Sequence, residues 1–213
     1  MILAVSLAAL AVFLWLAITL WRFVRISRAE HIGDRRKGTA LLLIDLQKDF
    51  LDNGPYPPAQ RAQALDAVSR AAVQARGNGW PVIAVRQTVR SRSLRLLARL
   101  ALGGKGMDGT AGSDLVPEAA ALSDHVLSKE VQDAFASGEL DRLLAQHDVA
   151  HLRIAGLDGE HCVRVTCLAA IQRGYNVTLL SDAILTARDT GWDKAARQAQ
   201  MQGVTVGTVA TLC

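Results

Sequence analysis

The chain has 213 residues, half of them hydrophobic, with 24 Lys and Arg against 20 Asp and Glu. That is enough for one α/β domain with a full core. The net charge of +4 belongs to residues 22–38, while residues 39–213 balance, so the high pI of about 9.2 does not mark a nucleic-acid-binding surface. The cysteines Cys162, Cys167 and Cys213 follow no zinc spacing and their odd number does not suggest a disulfide framework. Reduced thiols in a cytoplasmic setting fit them.

Ile2 to Trp21 holds no charged residue. About 20 residues make about 30 Å of helix, enough to cross a bilayer, and Trp15 and Trp21 place aromatic residues in its later part. A cleaved signal peptide fits less well, because the run is long, lacks a basic n-region and is followed by no small-x-small site. The sequence thus predicts a transmembrane anchor over 1–24 and a basic juxtamembrane linker over 25–38. Arg22, Arg25, Arg28, Arg35, Arg36 and Lys37 follow the span, which predicts a single pass with the N-terminus outside and the rest cytoplasmic. The same charges can hold the linker against anionic lipid. Removal of residues 1–30 is expected to leave a soluble, folded domain.

Thr39–Asp45 is a continuous apolar run closed by a carboxylate, the pattern of a strand buried on both faces. A loop over 53–58 and an Ala-rich helix over 59–77 come next. Further strands are expected over 80–85, at 125–127 and over 150–155, with a helix over 139–146 before the last of these. A helix then runs from Cys162 to about Arg173 and stops at Gly174. A fifth strand over 176–180, a helix over 194–202 and a sixth strand over 204–209 complete the chain. Alternating strands and helices predict a three-layer, doubly wound, Rossmann-like α/β fold with a mostly parallel six-stranded sheet.

Arg90–Leu102 interrupts the pattern. As a helix it places Arg92, Arg95 and Arg99 on one stripe and Leu94, Leu97, Ala98 and Ala101 opposite. Three readings stay open: a helix covering the core, a lid over the site, or a membrane-surface segment.

In a doubly wound sheet, ligands sit beyond the carboxyl ends of the strands near the reversal in strand order. Asp45, Lys129 and Cys162 occupy three such ends. Each has an ordinary alternative: Asp45 as a cap, Lys129 as a surface charge, Cys162 as a small core residue. Together they form a coherent set, with Asp45 accepting the thiol proton, Lys129 stabilising the resulting anions, and the helix end favouring thiolate. Cys162 is accordingly expected to alkylate below the free-thiol range of about 8.5. Its neighbour His161 points about 100° away on a helix and is not expected to share its proton. Cys167 is expected in the core.

The segments DLQKDF (45–50), KEVQDAF (129–135) and AGLDGEHCV (155–163) resemble, in that order, the isochorismatase-like cysteine hydrolases. SDLVPEAAALSDHVLSK (113–129) and RGYNVTLLSDA (173–183) extend the resemblance over roughly 39–209, within a hydrolase domain taken as 39–213. The resemblance implies an Asp45, Lys129 and Cys162 catalytic triad that hydrolyses small amide, ureido or carbamoyl compounds through a thioester. It implies an oxyanion hole from the backbone N–H groups of Asp158 and Cys162, with a cis peptide at Leu157–Asp158. Gln47 and Phe50 are candidates to line the pocket.

Two departures from the family pattern stand out. Nicotinamidases of this kind hold a metal with an Asp and histidines just after the second strand. Here that place reads Arg86-Gln-Thr-Val-Arg90, so a metal-free, cofactor-free site is expected. Asp158 replaces a small neutral residue, and a carboxylate facing an oxyanion hole would oppose the developing charge. A second class of function, a catalytically silent domain used as a membrane-tethered scaffold, has no need of all three residues. Ether hydrolysis of the isochorismatase type needs an acid rather than a cysteine. Relatives are often oligomers, and a free sheet edge would suit a homo-oligomer.

Overall fold

The computed structural model describes residues 2–33, 35–101 and 103–212. Cys213, one of the three thiols, lies outside the described residues, as do Met1 of the expected anchor, Asp34 of the expected linker and Leu102 of the segment 90–102.

In chain order the elements are α1 (Ile2–Val24), β1 (Gly38–Ile44), α2 (Lys48–Leu51), α3 (Pro58–Gly77), β2 (Val82–Gln87) and α4 (Arg92–Ala101), then α5 (Pro117–Leu122), β3 (His125–Lys129) and α6 (Glu139–Gln146). They continue with β4 (Val149–Gly156), α7 (Cys162–Gln172), β5 (Asn176–Ile184), α8 (Asp189–Gln200) and β6 (Thr205–Gly207). The strands pair in parallel in the order β3-β2-β1-β4-β5-β6. The chain moves outward from β1 to β3, then returns to the other side of β1 with β4, so the strand order reverses between β1 and β4.

Successive side chains of a strand point to opposite faces, and β1 feeds two separate cores. Ala40, Leu42 and Ile44 pack with Leu140, Leu144, Val163 and Ala199 under α6, α7 and α8. Leu41 and Leu43 pack with Ala64, Val68, Ala71 and Ala119 under α3 and α5. This is the expected three-layer arrangement. The small residues of α3 recur on one stripe and let that helix lie close to the sheet, while Pro58 opens it where no intrahelical donor is needed.

Boundaries differ from the expectation where polar residues enter. The second strand runs two residues further, to Gln87, because Arg86 and Gln87 belong to the polar end of the sheet and carry no hydrophobic signal. The helices α2 and α5, of four and six residues, are too short to show a period and are absent from the sequence reading.

The segment after α1 is docked along the domain. Asp133, fully buried, accepts from the Ser27 backbone N–H (2.7 Å) and hydroxyl (2.6 Å) at Oδ2. Arg173, equally buried, donates to the Ser27 carbonyl (2.9 Å) and hydroxyl (2.9 Å) and pairs with Asp141. Ile26 and Ile32 pack against the main core, and the Ile32 N–H donates to the Arg173 carbonyl (2.8 Å). A cut at residue 30 would remove Ser27, which holds Asp133 Oδ2 and two donors of Arg173, so the structure argues for a boundary before Arg25.

Side chains of α1 are described from Leu10 onward. Among the described residues, no helix is long and apolar enough to cross a membrane; the expected span is seen as a helix, Ile2–Val24, with no charge before Arg22. Its last turn meets α4: Phe23 packs with Val89, Leu94 and Ala98, beside Leu97 and Val131. The expected stripe holds, with Leu94 and Ala98 buried and Arg92, Arg95 and Arg99 exposed. The helix covers the end of α1, and its apolar side forms a small cluster apart from the two main cores.

Candidate active site

The site lies at the carboxyl ends of β1, β3 and β4, across the reversal in strand order. Asp45 follows β1 directly with φ 54, a left-handed conformation that Asp tolerates better than most residues. This turn ends the strand and keeps the side chain inside, 4% exposed. Lys129 closes β3, and its side chain, 1% exposed, reaches back past β2 toward β1. Cys162 opens α7 one short turn after β4 and is half-buried.

One ammonium gathers the group. Lys129 Nζ donates to Asp45 Oδ2 (2.8 Å), to Gln87 Oε1 (2.8 Å) and to Cys162 Sγ (3.2 Å). An ammonium has three donors, and all are used. Burial pulls the Lys129 pKa down, but Asp45 and Cys162 outweigh it, so Lys129 is held charged. The Cys162 thiol moves the other way from the sequence expectation. Burial and the Asp45 charge push its pKa up, and Lys129 only partly opposes them. At rest the site is an Asp–Lys ion pair beside a thiol. The helix-end argument failed because desolvation and the neighbouring carboxylate are both tertiary effects. Cys167 lies in the core as expected, its thiol pushed up to about 12 by burial alone.

The turn before Cys162 is built around Gly156, at φ 119, where a Cβ would run into the Ile44 carbonyl. The close approach lets the Leu157 N–H bond that carbonyl (2.9 Å) and ties the cysteine's turn to the end of β1. The Leu157–Asp158 peptide is cis. Among the described residues, the backbone N–H groups of Asp158 and Cys162 donate to no acceptor. The Asp158 carboxylate is drawn away: Oδ1 accepts from the Glu160 N–H (2.8 Å), and Oδ2 from Tyr56 Oη (3.1 Å) and the Ala187 N–H (2.9 Å). Three donors balance its charge. His161 is exposed and makes no hydrogen bond to Cys162.

Gln47 does not line an open pocket. Fully buried, it accepts from the Gln87 N–H (2.6 Å) and donates to the carbonyls of Gln87 (2.9 Å) and Ser113 (2.7 Å). Its amide imitates a strand and fixes the end of β2. Phe50 packs on the α3-side core, with its ring tip against Gly106.

Two residues that the sequence reading passed over belong here. Gln87 must turn its oxygen to the Lys129 ammonium, which can only donate, so its Nε2 is left buried without an acceptor. Asp45 Oδ1 is likewise buried and unpaired. Buried polar atoms without partners are uncommon, and here a donor and an acceptor belong to the two residues that share the Lys129 ammonium. Tyr56, in the proline-rich loop, has its hydroxyl on Asp158, and burial followed by that carboxylate raises its pKa. Among the described residues, no group of three His, Cys, Asp or Glu is placed to hold a metal.

The pattern described as Isochorismatase domain matches residues 39–211. A protein of Arabidopsis thaliana described as a "probable inactive nicotinamidase" is 32% identical over 166 residues, 73% of this chain and 85% of that one. The crystal structure of an isochorismatase family protein from Desulfovibrio vulgaris superposes with TM-score 0.73 at 27% identity, covering 83% of this chain and 96% of that one. N-carbamoylsarcosine amidase from Thermoplasma acidophilum shares the fold, with TM-score 0.69 at 23% identity over 81% and 96% of the two chains.

Proposed function

Because the chain belongs to the isochorismatase family, we propose that it is a cysteine hydrolase cleaving a C–N bond of a small amide, ureido or carbamoyl compound. The reading rests on Lys129 Nζ bonded at once to Asp45 and Cys162. Asp45 takes the thiol proton and becomes a carboxylic acid as Sγ adds to the substrate carbonyl, so no free thiolate accumulates. The oxyanion is held by the N–H groups of Asp158 and Cys162 and by the Lys129 charge. The C–N bond then breaks, the proton passes from Asp45 to the leaving nitrogen, and a thioester remains. Water, deprotonated by Asp45, hydrolyses the thioester to a carboxylic acid, or the thiocarbamate from a ureido or carbamoyl substrate to a carbamic acid, and restores the thiol.

Ammonia or amine release over a panel of small amides and ureido acids tests this, with turnover of at least one class expected. The relative described as inactive favours a second reading, a silent domain at the membrane. A panel with no turnover, on protein whose Cys162 still alkylates, would establish it.

The catalytic domain would sit on the cytoplasmic face of a membrane, held by α1. Support comes from the uncharged run to Trp21, from Leu10, Phe13, Leu14, Ile18 and Leu20, all more than half exposed or close to it, and from the arginines that follow. A reporter fused after Cys213 is expected to read cytoplasmic and an N-terminal tag to be open to protease from outside; the reverse pattern would overturn the orientation.

A further inference from the structure

The exposed face of α4 is made of two kinds of side chain. At about 100° per residue, Arg95, Arg99 and Arg92 fall on one side of it and Leu96 and Leu100 on the other, a continuous band of about 140°. Leu96 is 44% exposed and Leu100 73%. Single apolar residues on a surface are ordinary, but these two stand one turn apart beside three guanidinium groups. Arg92, Arg95 and Arg99 make no ion pair or side-chain hydrogen bond among the described residues, and the chain from 67 to 107 holds no acidic residue. Asp108 pairs with Arg90, and Glu130 accepts from the Arg90 N–H (3.2 Å). Glu130 and Glu139 border the cavity between α1 and α4, and none of the residues of the exposed band lines it.

What the band faces follows from where α4 sits. Trp15, Ile18 and Arg22 of α1 line one cavity with Ser91, Ser93 and Leu94, and Phe23 packs with Leu94 and Ala98. The helix α4 therefore runs beside the last turns of α1 and not beyond its end. A bilayer's hydrocarbon core is about 30 Å thick, the length of the uncharged run that closes at Trp21. With α1 as the anchor, its last turns stand at the cytoplasmic boundary of that core, and α4 stands there with them. The cytoplasmic leaflet carries anionic lipid, to which the charge of the band is complementary. A helix in water gains nothing from exposing Leu96 and Leu100; one lying in the headgroup layer buries both and brings its arginines to lipid phosphate.

Building on the reading of α1 as an anchor, we propose that α4 is a second, in-plane membrane contact, whose exposed band docks on the surface of an anionic bilayer. Leu96 and Leu100 enter the boundary between headgroups and acyl chains, and Arg92, Arg95 and Arg99 bind the phosphates beside them. Because α4 is seated on Phe23, the two contacts form one unit, and the domain takes a single orientation on the lipid surface.

The test uses the full chain in vesicles of phosphatidylcholine with and without phosphatidylglycerol, carrying photoreactive benzoylphenylalanine in place of Leu100 or, as a control, of Met201. Met201 is 79% exposed after α8, at the β6 edge of the sheet, the edge opposite β3. Irradiation should link position 100 to phospholipid, more in the anionic vesicles, and leave position 201 unlinked. An arginine near an anionic surface is worth about fivefold in binding, so Arg92→Gln, Arg95→Gln and Arg99→Gln together should shift α4 off the lipid by about 100-fold. The yield at position 100 should then drop to that at 201. Linking at 100 no greater than at 201, or linking that the three Gln substitutions leave untouched, overturns the proposal. Extraction in alkaline carbonate reads the anchor separately, since it strips surface contacts and keeps a span. If the chain is extracted there, flotation at neutral pH and low salt still decides for α4. A wild type that floats with anionic vesicles while the triple Gln variant does not sustains the surface, and equal behaviour of the two sinks it.

Discussion

Cys162→Ala is expected to lose turnover by on the order of 10⁴-fold or more, since removing a nucleophile that acts as a unit with its base leaves only binding and the oxyanion site. The variant should still fold. Lys129 keeps two of its three acceptors, Asp45 and Gln87, and the half-buried sulfur leaves a small gap at the mouth of the site, not within either core. A stability change within about 1–2 kcal/mol is expected, the cost of one weak hydrogen bond to sulfur. Lys129→Ala would be a poor substitute for this experiment. It strands the buried Asp45 carboxylate, at about 3–5 kcal/mol, and lost activity could then mean lost fold. Thermal unfolding alongside turnover on a confirmed substrate separates the two. Cys162→Ala protein that retains activity would remove the thioester mechanism.

What could be read from the chain follows the reach of each interaction. The buried run Thr39–Ile44 ends at a carboxylate, and a charge closing an apolar strand is visible locally. Lys129 and Cys162 were visible for the same reason, each standing where a strand ends. The surroundings of the site were not. Tyr56 lies 102 residues from Asp158, its hydrogen-bond partner, and Gln47 lies 40 residues from the Gln87 backbone it clamps. No periodicity joins such pairs. Asp158 looked unfavourable in the sequence because only the fold reveals that its charge is met by Tyr56 and the Ala187 N–H. The basic segment after α1 was read by its charges as a membrane linker, while Ser27 and Ile32, which dock it, carry no charge. The run 2–21 was read by hydropathy alone; it forms the helix Ile2–Val24, whose Phe23 is seated on α4.

Asp45→Asn should move two measurable quantities in opposite directions. Turnover is expected to fall by on the order of 10²-fold or more, because the amide cannot accept the thiol proton or return it to the leaving nitrogen. Thiol reactivity should rise. In the wild type the Asp45 charge and burial hold the Cys162 pKa above that of an ordinary thiol, with Lys129 opposing. Taking away the carboxylate removes one upward contribution and frees the ammonium, now without its ion-pair partner, to stabilise thiolate. Alkylation requires thiolate, so below the folded pKa its rate increases about tenfold for each unit of pH and for each unit by which the pKa falls. Iodoacetamide labelling of the wild type, resolved by residue in the mass spectrum, should therefore be slow at pH 8 and climb on into the alkaline range. The Asn variant should label about tenfold faster at the same pH and reach its plateau earlier, with Cys167 slow in both because its thiol is shielded in the core. Slower turnover without faster labelling would mean that Asp45 acts through the fold and not through its charge. Faster labelling with undiminished turnover would leave the carboxylate no part in moving the proton, and another base would have to be found beside Cys162.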